Sequence, residues 1–366
     1  MLLDFFPSRR LTIYLAKMFA VRIVAVLAML VLVLMMMDLL SRTGDILAYA
    51  GNGEDELMKY ASLRTPQLVA RFLPYSVLLA TIITLAGLNQ NSEVIAMKAA
   101  GMSAHQVLAP LLLTALVVSG ISFAFNERVV TRATATLKAW EDVEYGPIPE
   151  DPATRSNVYF NDGNDVLMAR QLSRTGNATL LTGVTFYERD NGGMITRQIT
   201  GSRARFGNPG WLVEDAVVFD VATTASTSAA APLRVADGTT LAQIILRRVD
   251  PQAETLSQLS QSIAALKAAG RRTAELEGYW WHKFSGPLAA VLMPLLGAVA
   301  GFGLARSGGL FVRAVIGMAL GFAYFVVENL GLAMGSFGGY PPLLAAWGPF
   351  VLFVLVGETV LVRTEE

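Results

Sequence analysis

The sequence predicts an α-helical membrane protein in which three spans, a β-rich domain and three further spans follow one another. Three observations carry that prediction. Hydrophobic residues make up 53% of the 366 residues and charged residues 16%, against about 25% charged in an ordinary globular chain. The charge is unevenly spread: residues 127–283 hold 17 Lys/Arg and 18 Asp/Glu, while the flanks, longer in total, hold 12 and 11. Each flank contains three apolar stretches near the roughly 20 residues that a helix needs to cross a hydrocarbon core. The expected division is therefore an N-terminal membrane half over 1–126, a water-soluble insert over 127–283 and a C-terminal membrane half over 284–366.

The six stretches are 20–40, 72–88, 105–125, 284–305, 314–332 and 343–362. The first is too long for a signal peptide and no small-residue cleavage site follows it, so it reads as a retained helix. Orientation follows from Lys and Arg in the short connections. Arg9, Arg10, Lys17, Arg22, Lys98, Arg306, Arg313 and Arg363 gather on one side. On the other, Arg42, Lys59 and Arg64 are diluted by Asp45, Glu54, Asp55 and Glu56, and residues 335–342 carry no charge. Both termini are expected in the cytoplasm and the insert on the far side.

Within the insert, β-branched and aromatic runs at 157–160, 166–172, 180–188, 194–206, 211–221 and 241–249 are separated by turn signals such as Asn161-Asp162-Gly163 and Asn208-Pro209-Gly210. Short strands at that spacing predict a sandwich, jelly roll or open barrel. The Ala/Ser/Thr-rich run 222–231 reads as a flexible loop, and 256–269 as a helix stopped at Gly270.

Several chemistries are excluded or disfavoured. Without cysteine there is no disulfide, thiolate metal site or cysteine nucleophile. A net charge of zero gives no global argument for nucleic-acid binding. No GxxxxGK[ST] loop is present to cradle phosphates, so the chain should not hydrolyse ATP by itself. His105 and His282 fall near opposite membrane faces, which makes a shared metal site improbable, and no metal or cofactor is expected on this chain.

The short segment 91–101 is the most informative. Ser92 can cap a helix, Glu93 favours its positive end and Gly101 can terminate it. Ser103 and Gln106 then fit a capping box that starts the third span. Such a helix could press an apolar face and one carboxylate against a cytosolic partner, or it could be a tight connector whose Glu offsets the helix dipole. Gly297-x-x-x-Gly301 and Gly317-x-x-x-Gly321 suit close helix packing in lipid. Glu328 is an ionisable group near the outer end of a span, where it needs a cavity, a partner or the interface. Arg42, Arg71 and Lys138 would form a basic rim attractive to anionic head groups.

This arrangement, with Ser92-Glu93-Val-x-x-Met97-x-x-x-Gly101 after the second span, Gly339-Tyr340-Pro341-Pro342 before the last and Tyr279-Trp-Trp-His-Lys283 entering the fourth, resembles the LptF/LptG (YjgP/YjgQ) family of lipopolysaccharide-export permeases. The LptG branch is the nearer, and the resemblance covers nearly the whole chain. It implies a non-catalytic subunit in the bacterial inner membrane, with a jelly-roll-like periplasmic domain and an LptF-like partner. An LptB-like ATPase dimer would use the ATP and magnesium, and LptC-like and LptA-like proteins would receive the lipopolysaccharide. Ser92, Glu93, Met97 and Gly101 would belong to the helix that couples to the ATPase, and Arg42, Arg71, Lys138 and Glu328 to the lipid site. Ser41 and Glu141 stand where the family pattern has bases, which implies a lipid A with fewer phosphates, or with other acidic groups in their place. A permease for another envelope lipid or for lipoproteins, and a membrane-anchored assembly factor, are the alternatives; the lipoprotein type usually places its large domain after the first span.

Overall fold

A computed structural model describes residues 7–147, 155–175, 178–190, 192–207, 209–238, 249–268, 270–302 and 310–365. The N-terminal half consists of α1 (Arg9–Ala48), α2 (Glu54–Gln90), the short α3 (Glu93–Ala99) and α4 (Ala104–Phe125). A π-helical stretch, Asn126–Val130, joins α4 directly to α5 (Thr131–Glu141). After the strands come α6 (Leu256–Ala268), α7 (Ala274–Phe302), α8 (Leu310–Ser336) and α9 (Pro342–Glu365).

Local chemistry sets the helix starts. Ser8 Oγ accepts from the Leu11 N–H at 3.4 Å, and Glu56 reaches back to the Gly53 N–H at 2.8 Å with Glu54 and Asp55 beside it in the first turn of α2. The Ser103–Gln106 capping box is present at α4, with bonds of 3.2 and 3.1 Å. Five helices among the described residues are long and apolar enough to cross a membrane, in α1, α2, α4 with α5, α8 and α9. The apolar part of α7 runs on towards residues 303–309, outside the described ones; α7 packs against α2, α4, α8 and α9. The expected boundary at 127 falls inside a continuous helix. No Gly or Pro occurs between Gly120 and Gly146 to interrupt it.

Among the described residues, eight strands lie between α5 and α6 and form one antiparallel sheet: β1 (Arg155–Asp162), β2 (Asp165–Thr175), β3 (Ala178–Arg189), β4 (Ile195–Phe206), β5 (Trp211–Glu214), β6 (Val217–Asp220), β7 (Ala225–Ser228) and β8 (Leu233–Val235). β4 pairs with β3 along one edge and with both β5 and β6 along the other, so β5 and β6 are two halves of one broken ribbon; β8 and β7 continue beside them. The expected single strand over 211–221 is thus interrupted at Asp215-Ala216. Part of the expected loop is strand β7, whose exposed small residues pair through backbone bonds that leave no hydropathy pattern. The strand expected at 241–249 lies almost wholly outside the described residues.

The interruption runs in line across the sheet. In β2, Ala169 and Leu172 are both buried, as are Leu181 and Val184 in β3 and Ile199 and Ala204 in β4. Odd spacings cannot keep one face in a regular strand, whose side chains alternate with period two. The extra residue is absorbed at Gly183, which has φ +63, and beside Ser202, whose hydroxyl donates to Asp215 Oδ2 at 2.7 Å while Asp215 has φ 56. Because neighbouring strands step together, the pairing register survives: Ala169↔Val184 and Gln171↔Thr182 share one register. The result is a core of Leu167, Leu181, Phe186, Ile199, Trp211 and Val213 on a single side. Asp162 at the end of β1 accepts from the Gly238 N–H, just beyond β8, at 3.2 Å. The two sheet edges therefore meet at that end.

At Gly201 a Cβ atom would stand 2.2 Å from Val213 Cγ1 and 2.8 Å from the Glu214 carbonyl oxygen. That carbonyl belongs to a paired strand and cannot swing away. Gly201→Ala is expected to destabilise the β-domain by about 1–3 kcal/mol, the usual cost of overpacking, seen as a lower melting temperature of the detergent-solubilised protein.

Candidate functional site

α3 and the sheet lie at opposite ends of α4, so the predicted site residues divide between two ends of the bundle. At the α3 end, a Schellman motif closes the short helix: the Gly101 N–H bonds the Lys98 carbonyl at 3.0 Å and the Met102 N–H the Met97 carbonyl at 3.2 Å, with Gly101 at φ +86. The start differs from expectation. Ser92 occupies the N-cap position in a left-handed conformation, φ 61, and its side chain makes no capping bond. Met97 differs as well, since it and Val94 are buried in the main core of the bundle. A seven-residue helix clamped between two spans must spend one face on its own protein. Ile95, Ala96, Lys98 and Ala99 form the outward face, with Ile95 57% exposed. Glu93 is half-buried, and the Tyr14 hydroxyl of α1 donates to its two carboxylate oxygens at 3.4 and 3.3 Å. In the first turn of α4, His105 meets Glu358 of α9 at 3.2 Å.

At the sheet end the sequence-predicted basic residues are not equivalent. Arg42 is exposed near the end of α1 and pairs with Asp45 at 3.5 Å. Lys138 of α5 is paired with Asp250, in the segment returning from the sheet. It is therefore engaged within the protein. Sequence reading missed the neighbouring network centred on Asp38, whose carboxylate accepts from Tyr60 at 2.7 Å and from Arg64 at 3.0 and 3.3 Å, tying α1 to α2. The signal that could have found it is an acid inside the apolar run of α1, which demands a partner. Around it Ile46, Tyr60, Leu137, Trp140 and Tyr145 form a small core, and Lys59 stands 5.0 Å over the Trp140 ring. Burial, then the Glu141 carboxylate, pushes the Tyr145 phenol above its usual range.

Glu127 lies at the joint between the spans and the β-domain. Its carboxylate accepts from the Leu256 N–H at the start of α6 and pairs with Lys283 of α7 at 3.6 Å. On the same side, Lys267 meets Glu277 at 2.9 Å. Burial works to raise the Glu277 carboxyl, but hydrogen bonds from Thr273 and Lys267 outweigh it and hold the group below its usual range.

Glu328 is only 6% exposed. It accepts from the Tyr324 hydroxyl at 2.9 Å and lies 3.7 Å from His282 Nδ1, so its needs are met by α7 and α8 rather than by an open cavity. Arg71 is exposed on α2, one turn before Tyr75, which stacks on Phe325 with ring centroids 3.9 Å apart. Among the described residues no hydrogen bond or ion pair joins any two of Arg42, Arg71, Lys138 and Glu328. The glycines sit at close approaches. A Cβ on Gly297 would stand 2.7 Å from Thr81 Cγ2, and one on Gly321 2.2 Å from Leu78 Cδ2, both on α2. Gly317 is buried; the surroundings of Gly301 lie outside the described residues. A further pair, Gly331 and Gly335, faces Ala345 of α9 in the same way.

Comparison with known proteins agrees over nearly the full length. The family described as "Lipopolysaccharide export system permease LptF/LptG" matches residues 13–363. The lipopolysaccharide export system permease protein LptG of Escherichia coli K12 is 24% identical over 327 residues, 87% of this chain and 89% of that protein. Its counterpart in Haemophilus influenzae is 23% identical over 310 residues, 81% and 83% of the two chains.

Removing the guanidinium from Asp38 leaves a partly buried carboxylate with Tyr60 alone. Arg64→Met is expected to lower stability by about 1–2 kcal/mol, the lower part of the range for hydrogen bonds to charged groups because both side chains retain some solvent. Asp38→Asn in the same chain should recover part of that loss in thermal unfolding.

Proposed function

The chain belongs to the LptF/LptG family of lipopolysaccharide export permeases, and from that premise we propose that it forms one membrane half of an ATP-driven lipid exporter. Its partners on this reading are an LptF-like second permease, an LptB-like ATPase dimer beneath the membrane, and LptC-like and LptA-like proteins that receive the lipopolysaccharide beyond it. The chain supplies the membrane path and couples it to a motor. ATP and magnesium belong to the ATPase subunits, consistent with a sequence that has no phosphate-binding loop. The bias of Lys and Arg in the short connections supports placing both termini and α3 in the cytoplasm, with the β-domain in the periplasm.

The observation that carries this reading is the family match over residues 13–363 together with the form of α3. Its inner face is fixed by Val94 and Met97, its end is closed by Gly101, and Ile95 and Lys98 face outward. Such a helix can be pushed as a body without unfolding, which suits transmission of force from an ATPase groove. Glu93, at the first position of α3, is the residue assigned to the coupling contact. For the cargo, the exposed Arg42 and Arg71 are the groups assigned to anionic head groups. Lys138 and Glu328 would join them only if their pairs with Asp250, and with Tyr324 and His282, opened.

Glu93→Ala should leave membrane insertion and recovery of the complex unchanged and reduce lipopolysaccharide released per ATP hydrolysed by about tenfold, the loss expected for one charge-assisted contact. Release from proteoliposomes containing the whole complex measures it; unchanged export would overturn the coupling role. Arg42→Ala should reduce the lipopolysaccharide that copurifies with the complex without changing its basal ATP hydrolysis, by quantitation of bound lipid. Purification of the chain from native membrane with no ATPase subunit would favour an assembly factor instead.

A further inference from the structure

Tyr14 lies near the start of α1, far along the chain from α3, yet its hydroxyl reaches both oxygens of Glu93 at 3.4 and 3.3 Å. The ring is 47% exposed, so the contact is not a by-product of core packing. Two features make it consequential. First, α3 has no side-chain cap: Ser92 is left-handed and its hydroxyl does not reach the helix N–H groups. Glu93 is the one acid in the first turn. A carboxylate there has competing places to go, towards the positive helix end or out to solvent. A donor that spans both oxygens selects one orientation, even though bonds of this length contribute modest energy. Second, α1 is a single helix of 40 residues, about 60 Å long at 1.5 Å per residue. It carries Tyr14 at one end, and Asp38 and Arg42 near the other.

We propose that Tyr14 is a positioning residue for energy coupling, which holds the Glu93 carboxylate in place and ties α3 to α1, the helix that bears the basic residue facing the lipid. The proposal rests on the coupling role assigned to Glu93. Displacement of α3 then reaches α1 directly through this contact, besides reaching α2 and α4 through the packing of Val94 and Met97. Tyr14→Phe removes one hydroxyl and keeps the ring, so the fold and the amount of complex recovered should not change.

The experiment compares Tyr14→Phe, Glu93→Gln and the double variant in the complete complex, reconstituted in proteoliposomes loaded with lipopolysaccharide. ATP hydrolysis and lipid release are read separately. Tyr14→Phe is expected to lower lipid released per ATP hydrolysed by about three- to tenfold, the range for loss of one ordinary hydrogen bond, since these bonds are long, with KM for ATP unchanged. In the Glu93→Gln background it should add less than twofold, because residues acting through one contact are non-additive. If Glu93→Gln uncouples and Tyr14→Phe does not, or if the two losses multiply, the positioning role is overturned and the coupling role of Glu93 stands. If Glu93→Gln leaves lipid release per ATP unchanged, both are overturned together.

Discussion

Close backbone approach at α2 is the constraint on which the rest of the bundle depends. Inside a bilayer the hydrophobic effect does not draw helices together, because lipid tails are as apolar as the side chains they would replace. Association then rests on contact, and contact needs small residues. α2 presents Ser76, Ala80, Thr81 and Thr84, all fully buried, and Gly297 and Gly321 bring α7 and α8 onto this surface. The Ser and Thr hydroxyls do not impose unsatisfied donors where they bond back along the helix: Ser76 donates to the Phe72 carbonyl at 2.9 Å and Thr81 to the Val77 carbonyl at 2.7 Å. α1 is the contrast. Leu15, Phe19, Ile23 and Ile46 are its buried residues, and Val24, Met29, Leu32, Met36 and Leu40 are all at least 60% exposed. One helix is therefore spent on cohesion and the other is left with a long apolar surface for lipid or a second subunit.

Polar pairs fix what contact alone would leave free to slide. Smooth apolar helices have several registers of similar energy, whereas a buried carboxylate with specific donors has one. Asp38 with Arg64 and Tyr60 pins the far end of α1 on α2, and Tyr324 with Glu328 and His282 joins α8 to α7. His105 with Glu358 does the same between α4 and α9 at the opposite end. Both histidines of the chain thus meet glutamates of other helices, a use that their positions in the sequence do not disclose.

The spans and most strands were legible because hydropathy and turn residues are local properties. The six apolar stretches, the capping box at Ser103 and the stop at Gly101 needed no tertiary information. Three features needed it. Met97 is apolar whichever way it points, and only the clamp between α2 and α4 decides that it points inward. Lys138 is one basic residue among others until the returning chain brings Asp250 to it. The break at Asp215 reads as an ordinary polar position in a strand, because the reason for it is a step shared with Gly183 and Ser202 on neighbouring strands. A rule with period two can report that a strand is present, but not that several strands shift by one residue together.

The join between the membrane bundle and the β-domain follows from the same economy. Because α4 passes through the π-helical stretch into α5 without a Gly or Pro, the helix runs on unbroken to Glu141. The returning chain is held to that same helix twice, by Glu127 on the start of α6 and on Lys283 of α7, and by Lys138 on Asp250. Four points of the sequence, near 127, 138, 250–256 and 283, are thereby brought to one place by ionised groups, beside apolar contacts such as the stacked rings of Phe123 and Phe284. A joint of this kind couples α4 and α5 to α6 and α7 while its bonds are intact. It can also be loosened by exchanging ion-pair partners, which an apolar seam of equal area could not do without exposing surface to water.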